Sequence, residues 1–247
     1  MERIAIISDI HGNIPALEAV LADIFDRGIK RIFCLGDMIG KGPFPEKAVD
    51  IVKESCECVV KGNWDKFVTD EKSYNIEEGL WNINKLGTER TEYLKRLPLF
   101  IEFHMSGKLV RLFHASPDDV FKRVHAHATI EEKLTLFKAP ILSKDYSCVD
   151  SDVIGYGDIH NAYVQNFRSK CIFNVGSVGN PLDIPQASYA IIEGIHGNKQ
   201  LSSISTNLVR VPYNIEKAVR EAQSENMPEM NEFINELRTA QYRGLCK

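Results

Sequence analysis

The sequence lacks the long apolar runs and the basic leader that mark membrane and exported proteins. Its first residues, MERIAIISDIHG, enter an apolar segment directly, with neither a run of positive charge nor a small-residue cleavage site before it. Nowhere does an apolar stretch reach the roughly 20 residues that a membrane-spanning helix needs. We therefore expect a cytoplasmic protein with no membrane partner.

Cysteine is sparse, and its spacing gives no zinc-ribbon pattern. Six cysteines are spread over 247 residues, which suits a reduced compartment. Cys56 and Cys58 supply only two ligands, so we interpret them as residues entering a strand and not as a metal site. Cys34 lies in the apolar run 32–35 and is expected to be a small buried side chain.

Clustered positive charge is also missing. The formal net charge is −4, and basic residues do not gather beyond short pieces such as Lys95-Arg96 and Lys122-Arg123. This excludes the basic stripe that long nucleic acids require. We expect a small anionic substrate drawn in by bound cations.

No proline-, glycine- or serine-rich linker, internal repeat or low-complexity segment interrupts the chain. At 44% hydrophobic residues, the chain can bury one substantial core. We predict a single domain over residues 1–247, with C-terminal helices from about residue 214 that are divided at Pro228. The sequence leaves open whether the protein forms a homo-oligomer.

Three short apolar runs indicate buried strands that each end in polar residues. The runs cover residues 4–8, 31–35 and 58–61, and helical patterns follow the first two at 15–27 and 45–54. Because the carboxyl ends of parallel strands meet at one edge of a sheet, we expect a ligand site there. Later patterns predict a helical segment at 76–97 and a hairpin at 99–113. They also predict further short strands over 153–197 and a second hairpin at 197–211.

Metal-type side chains occur in five short clusters, each placed where a predicted strand ends. Alone, each has an ordinary reading: Asp9 could cap a helix, Asn63 could take a left-handed turn, and His114 could be a structural histidine. Together they supply the oxygen and imidazole ligands that divalent cations prefer, so the joint pattern predicts a metal site. The clusters are Asp9-Ile10-His11, Gly36-Asp37, Gly62-Asn63-Trp64-Asp65, His114 and Gly157-Asp158-Ile159-His160.

The order of these clusters resembles the calcineurin-like metallophosphoesterases, whose pattern is DxH, GDxxG, GN(H/D), a lone histidine and GHxH. Four longer segments further resemble a small prokaryotic branch that contains bacterial phosphodiesterases and asymmetric diadenosine tetraphosphate hydrolases. These segments are SDIHGNIPALEAVL, GNWD, HASP and NVGSVGNP. The resemblance implies an α/β fold, a four-layer α-β-β-α sandwich with two mixed β-sheets. It also implies two divalent metal ions, manganese first, with iron, nickel or zinc as alternatives.

Carried over by position, the resemblance also implies a ligand set. One metal would be held by Asp9, His11, Asp37 and His160. Asp37 would bridge to a second metal, held with it by Asn63, His114 and Asp158. The residues implied for catalysis are Asp37, Asn63 and His114. Two such cations would activate water and neutralise charge on the phosphoryl oxygens, so no serine or cysteine nucleophile is needed.

Two positions depart from the family pattern. Trp64 stands where the family has a histidine thought to protonate the leaving group, and losing an acid harms least when the leaving group is a phosphate or an activated phenol. Asp158 stands where the family has the first histidine of GHxH, and its carboxylate still offers an oxygen ligand.

The leading hypothesis is therefore a hydrolase of dinucleoside polyphosphates such as diadenosine tetraphosphate. One alternative is a phosphodiesterase acting on cyclic nucleotides or aryl diesters. Another is a non-catalytic protein-binding scaffold of the same fold, as in the retromer subunit.

Several further residues are assigned from adjacency alone. Trp64 could stack on a base or fill core space. Substrate contacts are also suggested for Asn13, Lys41 and Asn161. The HxH pair at positions 125 and 127 is interpreted as lying along a helix or loop, although it could line a pocket. His104 and His196 are interpreted as structural.

Overall fold

The computed structural model describes residues 1–140 and 149–245, so Cys148 and Cys246 lie outside the described residues. The strands are β1 Glu2–Ile7, β2 Arg31–Cys34, β3 Cys58–Val59, β4 Phe100–Met105, β5 Lys108–Phe113, β6 Val153–Tyr156, β7 Tyr163–Phe167, β8 Lys170–Asn174, β9 Ala187–Gly194 and β10 Ser205–Val211. The α-helices are α1 Ile14–Asp26, α2 Pro45–Ser55, α3 Asn63–Phe67, α4 Glu77–Arg96, α5 Ile130–Thr135, α6 Ile215–Glu225 and α7 Met230–Thr239.

The strands form two mixed five-stranded sheets. The first has the order β10-β9-β1-β2-β3, in which β1, β2 and β3 are parallel and β9 and β10 are antiparallel additions. The second has the order β4-β5-β6-β8-β7, with β5, β6 and β8 parallel and an antiparallel strand at each edge. The predicted fold class is confirmed.

Alternation along the strands explains why the sheets stack into four layers. Side chains two residues apart share a face, so Ile4 and Ile6 enter a core with Val110 and Leu112 of the second sheet. The opposite face of the first sheet packs against α1, α2 and α4, and that of the second packs against the loop before α5 and the residues directly after that helix. Both faces of β1 are therefore buried, which accounts for its continuous apolar run.

The first predicted hairpin is confirmed, and a further hairpin escaped prediction. Strands β4 and β5 pair around Ser106 and Gly107, both with positive φ, as a two-residue hairpin turn needs. Strands β7 and β8 turn through Arg168 and Ser169, also at positive φ. Neither is a typical residue for that conformation, so the sequence carried no turn signal there.

The second predicted hairpin was only partly right. Strands β9 and β10 do pair, but β10 begins at Ser205 and not at residue 201. The intervening segment packs against the first hairpin instead, since the Ser202 amide donates to the Ser106 carbonyl and His196 forms a bridge with Met105. His196 thus has a structural contact, as expected.

The structure confirms several smaller predictions. Cys34 is fully buried, and Cys58 lies in β3. The helical segment 76–97 corresponds to α4, which is interrupted at Gly87, where φ is 68°. Helices α6 and α7 flank Pro228. Within the residues described, none of the helices combines the length and apolarity needed to cross a bilayer.

Candidate metal centre and its cavity

The parallel strands of both sheets end at a common edge, and the predicted ligands there have unusual backbone conformations. Five of them have a left-handed φ between 49° and 64°: Asp9, His11, Asp37, Asp158 and His160. Such a conformation costs a non-glycine residue about 1 kcal/mol or more, and it persists only where neighbouring structure enforces it. Here the Asp9 and His11 amides donate to the carbonyls of Gly36 and Asp37, which locks the loop after β1 against the loop after β2.

Two glycines in the motifs allow carboxylates to pass close to the backbone. A Cβ on Gly62 would overlap the Asp37 carboxylate, and one on Gly157 would overlap the side chains of Ser8 and Asp9. The glycines that precede Asn63 and Asp158 are thus steric requirements of the site.

The three predicted histidine ligands are fixed in one tautomer. In each, Nδ1 lies within hydrogen-bond distance of a main-chain carbonyl: His11 at 2.8 Å from Ile39, His114 at 2.8 Å from Leu35, and His160 at 2.6 Å from Asn180. A carbonyl can only accept, so Nδ1 carries the hydrogen and Nε2 presents a lone pair.

These lone pairs converge on carboxylate oxygens and on one another. Nε2 of His11 is 3.1 Å from Nε2 of His160, which is 3.2 Å from Asp9 Oδ1. Nε2 of His114 is 3.5 Å from Asp37 Oδ1, and Asp37 Oδ2 is 3.8 Å from His11. Acceptors at these separations repel unless protons or cations lie between them.

Unpartnered buried atoms identify the same place. Asp9 Oδ1, Asn63 Oδ1 and His114 Nε2 are buried without a hydrogen-bond partner. Ligand atoms of Asp9, His11 and His160, and those of Asp9, Asp37 and His114, lie within 4.8 Å of one another in each set. The two sets share Asp9, and Asp37 also lies between their histidines, with one oxygen toward His114 and the other toward His11. The residues therefore fit two divalent cations.

The protonation equilibria point the same way. Burial raises the pKa of Asp37 well above its usual range, and the nearby carboxylates of Asp9 and Asp65 raise it further. Burial opposes a charge on His114, but Asp37, Asp9 and Asp158 together raise its pKa to about 9. The site thus retains protons that cations would displace, which is how ligand sets of this kind couple metal binding to proton release.

Asp65 is a supporting residue whose role the sequence reading missed. It is fully buried, and its Oδ2 accepts from the amides of Asp37 at 2.8 Å and Gly62 at 2.9 Å. It thereby joins the loop that carries Asp37 to the loop that carries Asn63. The available signal was its place three residues after Gly62, at the start of a short helix.

Asp158 lies at the edge of the centre with a partner that the sequence did not reveal. Its two oxygens accept from Arg123, Nε at 2.9 Å and Nη2 at 2.8 Å, and Oδ1 also accepts from the Asn63 amide at 3.1 Å. Its Oδ1 is 3.8 Å from His114 Nε2, and Asp158 belongs to neither three-residue set. Arg123 lies 35 residues away in a loop, with no periodic pattern to place it.

A cavity of about 580 Å³ opens over the centre. Its floor includes His11, Asp37, Asn63, Asp158 and His160 of the centre. The rest of its wall includes Lys41, Trp64, Arg123, His125, His127, Asn161, Tyr242 and Arg243. The suggested contacts Lys41, Trp64 and Asn161 thus face the cavity. Trp64 also packs edge-on against Phe67 in the core, so both readings of this residue apply.

Two expectations about the cavity need correction. Asn13 does not line it: its Oδ1 caps α1 by accepting from the Ala16 amide, and its Nδ2 donates to the Gly179 carbonyl. Its amide is committed to the fold. His125 and His127 do lie in a loop, but they also line the cavity, with their rings stacked at 5.2 Å.

A buried ion network supports the C-terminal part of the wall. Glu236 is fully buried and accepts from Arg243 through both oxygens, at 2.9 Å each, while Lys41 Nζ lies 3.5 Å from it. Lys41 also donates to the side-chain oxygen of Asn180, and the side-chain nitrogen of Asn180 donates to Glu236. The main-chain carbonyl of Asn180 in turn orients His160. The distal wall is therefore connected to the ligand set.

Comparison with known proteins places these features in a family context. A model of the calcineurin-like phosphoesterase superfamily domain matches residues 2–196. The uncharacterised protein MJ0912 of Methanocaldococcus jannaschii is 35% identical, over 92% of this chain and 94% of its own. A metallophosphoesterase from Sphaerobacter thermophilus has a similar structure (TM-score 0.71, 25% identity, 97% of this chain and 99% of that one). The hypothetical protein PH1004 of Pyrococcus horikoshii OT3 shares the fold (TM-score 0.76, 18% identity, coverage 96% and 98%).

Proposed function

Because the chain belongs to the calcineurin-like phosphoesterase superfamily and is a metal-dependent hydrolase, we propose that it cleaves a phosphoanhydride, with a dinucleoside polyphosphate such as diadenosine tetraphosphate as the preferred substrate. One observation carries the proposal. Three histidine Nε2 atoms and the unpartnered oxygens of Asp9 and Asn63 converge beside His160, Asp37 and Asn63, which line a cavity far larger than one phosphate group.

The proposed ligands divide into two sets that share Asp37. Asp9, His11 and His160 complete the first set, and Asn63 and His114 complete the second. Two divalent cations bound there would supply Lewis acidity and an activated water. The carboxylate and amide oxygens favour manganese over softer ions, so manganese is the proposed metal.

The cavity wall supplies groups suited to a phosphate chain ending in a base. Lys41, Arg123 and Arg243 place three cationic side chains around it, and Trp64 and Tyr242 add aromatic surface. Cations along the wall would bind successive phosphates, and an aromatic ring would stack on a nucleobase.

The available proton donors also favour an anhydride. Trp64 cannot protonate a leaving group, and burial and Arg123 lower the pKa of His125 below its usual value, so that this imidazole is neutral at pH 7. A departing phosphate needs no proton, whereas a basic alkoxide does. His125 still favours a second candidate, phosphodiester hydrolysis, because it places in the cavity an imidazole that, once charged, can protonate a leaving alkoxide.

A substrate panel tests the proposal. Manganese-loaded protein at micromolar concentration is incubated with diadenosine tetraphosphate, a cyclic nucleotide and an aryl phosphodiester at equal concentrations, with Asp37→Asn as the inactive control. We expect AMP and ATP from the dinucleotide at the highest kcat/KM. Hydrolysis of the diesters without nucleotide release from diadenosine tetraphosphate would transfer the proposal to the second candidate. The cytoplasmic location and any homo-oligomer stay predictions from the sequence.

A further inference from the structure

Asp158 and Arg123 form a paired unit at the boundary between the metal centre and the cavity. The carboxylate is buried, with 2% of its side chain exposed, whereas the Arg123 side chain is 44% exposed and lines the cavity. The negative member therefore faces the centre and the positive member faces the space where substrate would lie.

The geometry of the pair is that of a two-point fork. Arg123 uses Nε and Nη2 to bind both oxygens of Asp158, which fixes the plane of the guanidinium. The donors on Nη1 are not part of the fork. An arginine held in this way retains N–H groups for a second planar or tetrahedral anion, which a lysine at the same position could not orient.

Asp158 also orients Asn63. The Asn63 Nδ2 donates to Asp158 Oδ1 at 3.1 Å, which leaves Asn63 Oδ1 buried and unpartnered beside the centre. A carboxylate can accept from Asn63 and Arg123 at once, whereas the single accepting nitrogen of a histidine could not. The aspartate at this position thus matches the arginine opposite it.

We propose that Arg123 is a phosphate-binding residue of this centre and that Asp158 is the positioning residue that aims it. The ligand of Arg123 is a phosphoryl group of the substrate. The charged guanidinium binds this group through N–H donors and transfers no proton to it. The pair adds no net charge to the site. The inference deepens the proposed anhydride hydrolysis, because a leaving phosphate is stabilised by such donors without protonation.

The test combines metal counting with phosphate binding. Arg123→Met, Arg123→Lys, Asp158→Asn and the double variant Arg123→Met/Asp158→Asn are loaded with manganese, and inorganic phosphate is titrated in a calorimeter. Arg238→Met is the matched control, because Arg238 makes an equivalent fork with Glu216, at 2.9 and 2.8 Å, on the exposed surface away from the cavity.

We expect Arg123→Met to keep the wild-type metal count and to weaken phosphate binding about 10- to 100-fold, the usual effect of losing charge-assisted hydrogen bonds. Arg123→Lys should recover part of the loss, and Arg238→Met should show none. Asp158→Asn should also weaken phosphate binding with the metal count unchanged. In the Arg123→Met background, Asp158→Asn should add less than about 2-fold, since the two residues act as one unit.

Each other outcome contradicts part of the inference. Wild-type phosphate affinity in Arg123→Met would overturn the phosphate-binding role. Loss of a metal from Asp158→Asn would make this residue a ligand and overturn its positioning role. Because inorganic phosphate contains no anhydride, a weakened affinity in Arg123→Met would support the inference even if diadenosine tetraphosphate were not hydrolysed. Conversely, wild-type phosphate affinity in Arg123→Met would refute the phosphate-binding role of Arg123 even if the protein cleaved the anhydride.

Discussion

The two sides of the cavity are built in different ways. The floor consists of side chains that follow parallel strands, most of them buried, on left-handed backbone, and oriented by main-chain contacts. The opposite wall comes from loops and the C-terminal segment, where Arg123 and Arg243 are held by carboxylates and Tyr242 is 44% exposed.

This difference suggests that the floor determines the reaction and that the wall determines which substrate is preferred. A ligand set fixed by strand ends cannot vary without disturbing both sheets, whereas a wall made of loops can change without altering the core. The family model matches residues 2–196, and Tyr242 and Arg243 lie beyond it. We therefore expect floor substitutions to remove activity on every substrate, and wall substitutions to change which substrate is preferred.

The largest effect is expected for Asp37→Asn, on the floor. Asp37 is the residue with one oxygen facing each ligand set, and an amide would replace one of its charged oxygens with a donor. We expect kcat to fall about 10³-fold on all substrates, equivalent to about 4 kcal/mol of barrier. Asp50→Asn, a surface carboxylate paired with Arg90, is the control and should retain activity. Near-normal turnover of Asp37→Asn with two metals bound would refute the bridging role.

The next largest effect concerns Glu236→Gln, which removes the anchor of the C-terminal wall. Burial alone would raise the pKa of Glu236, but Arg243 and Lys41 lower it to about 2 from an ordinary value of 4.5. Breaking a buried pair of this kind should lower the free energy of unfolding at pH 7 by about 3 kcal/mol. Since the folded pKa is depressed, the contribution is complete above pH 4.5 and is lost as pH falls toward 2.

Urea unfolding of chelator-treated protein checks this prediction. The gap between wild type and Glu236→Gln should be constant from pH 7 to about pH 5 and should narrow below pH 4.5. Glu216→Gln, at an exposed carboxylate paired with Arg238, should leave the urea unfolding transition close to that of the wild type at every pH. A gap that is independent of pH would show that the ion network contributes little.

A smaller and selective effect is expected for Trp64→His, at the boundary between floor and wall. The new imidazole would offer a proton where the cavity now presents an indole. We expect up to about 10²-fold faster hydrolysis of diesters with poor leaving groups and little change for anhydrides. Comparing kcat/KM across leaving groups of different pKa measures this, and equal changes across the series would place residue 64 outside reach of the leaving oxygen.

The smallest effect is expected for Tyr242→Ala, on the distal wall. Losing a stacking surface should raise KM for diadenosine tetraphosphate about 5-fold, near 1 kcal/mol, with kcat unchanged. Affinity for inorganic phosphate should not change, because phosphate carries no base that could stack on the Tyr242 ring. Tyr74→Ala, at an exposed ring away from the cavity, is the control. An equal loss of phosphate affinity would mean that Tyr242 supports the centre itself.

The same difference explains what the sequence could predict. Asp9, Asp37 and Asn63 follow apolar runs, so strand periodicity together with motif order locates them. Arg123 and Arg243 are brought to the cavity by loops and by a network around Glu236. No local sequence pattern predicts that these two residues lie there. The cap formed by Asn13 was misread for a related reason: adjacency to His11 in sequence does not determine which way a side chain points.

The central claim is that the converging lone pairs hold two cations, and metal counting tests it most directly. Chelator-treated protein is reloaded with manganese, freed of excess ion and submitted to elemental analysis, together with His160→Ala and His114→Ala. We expect two manganese ions per wild-type chain and about one in each variant, because each histidine serves a different set. A wild-type chain that binds fewer than two ions, or variants that still bind two, would contradict it.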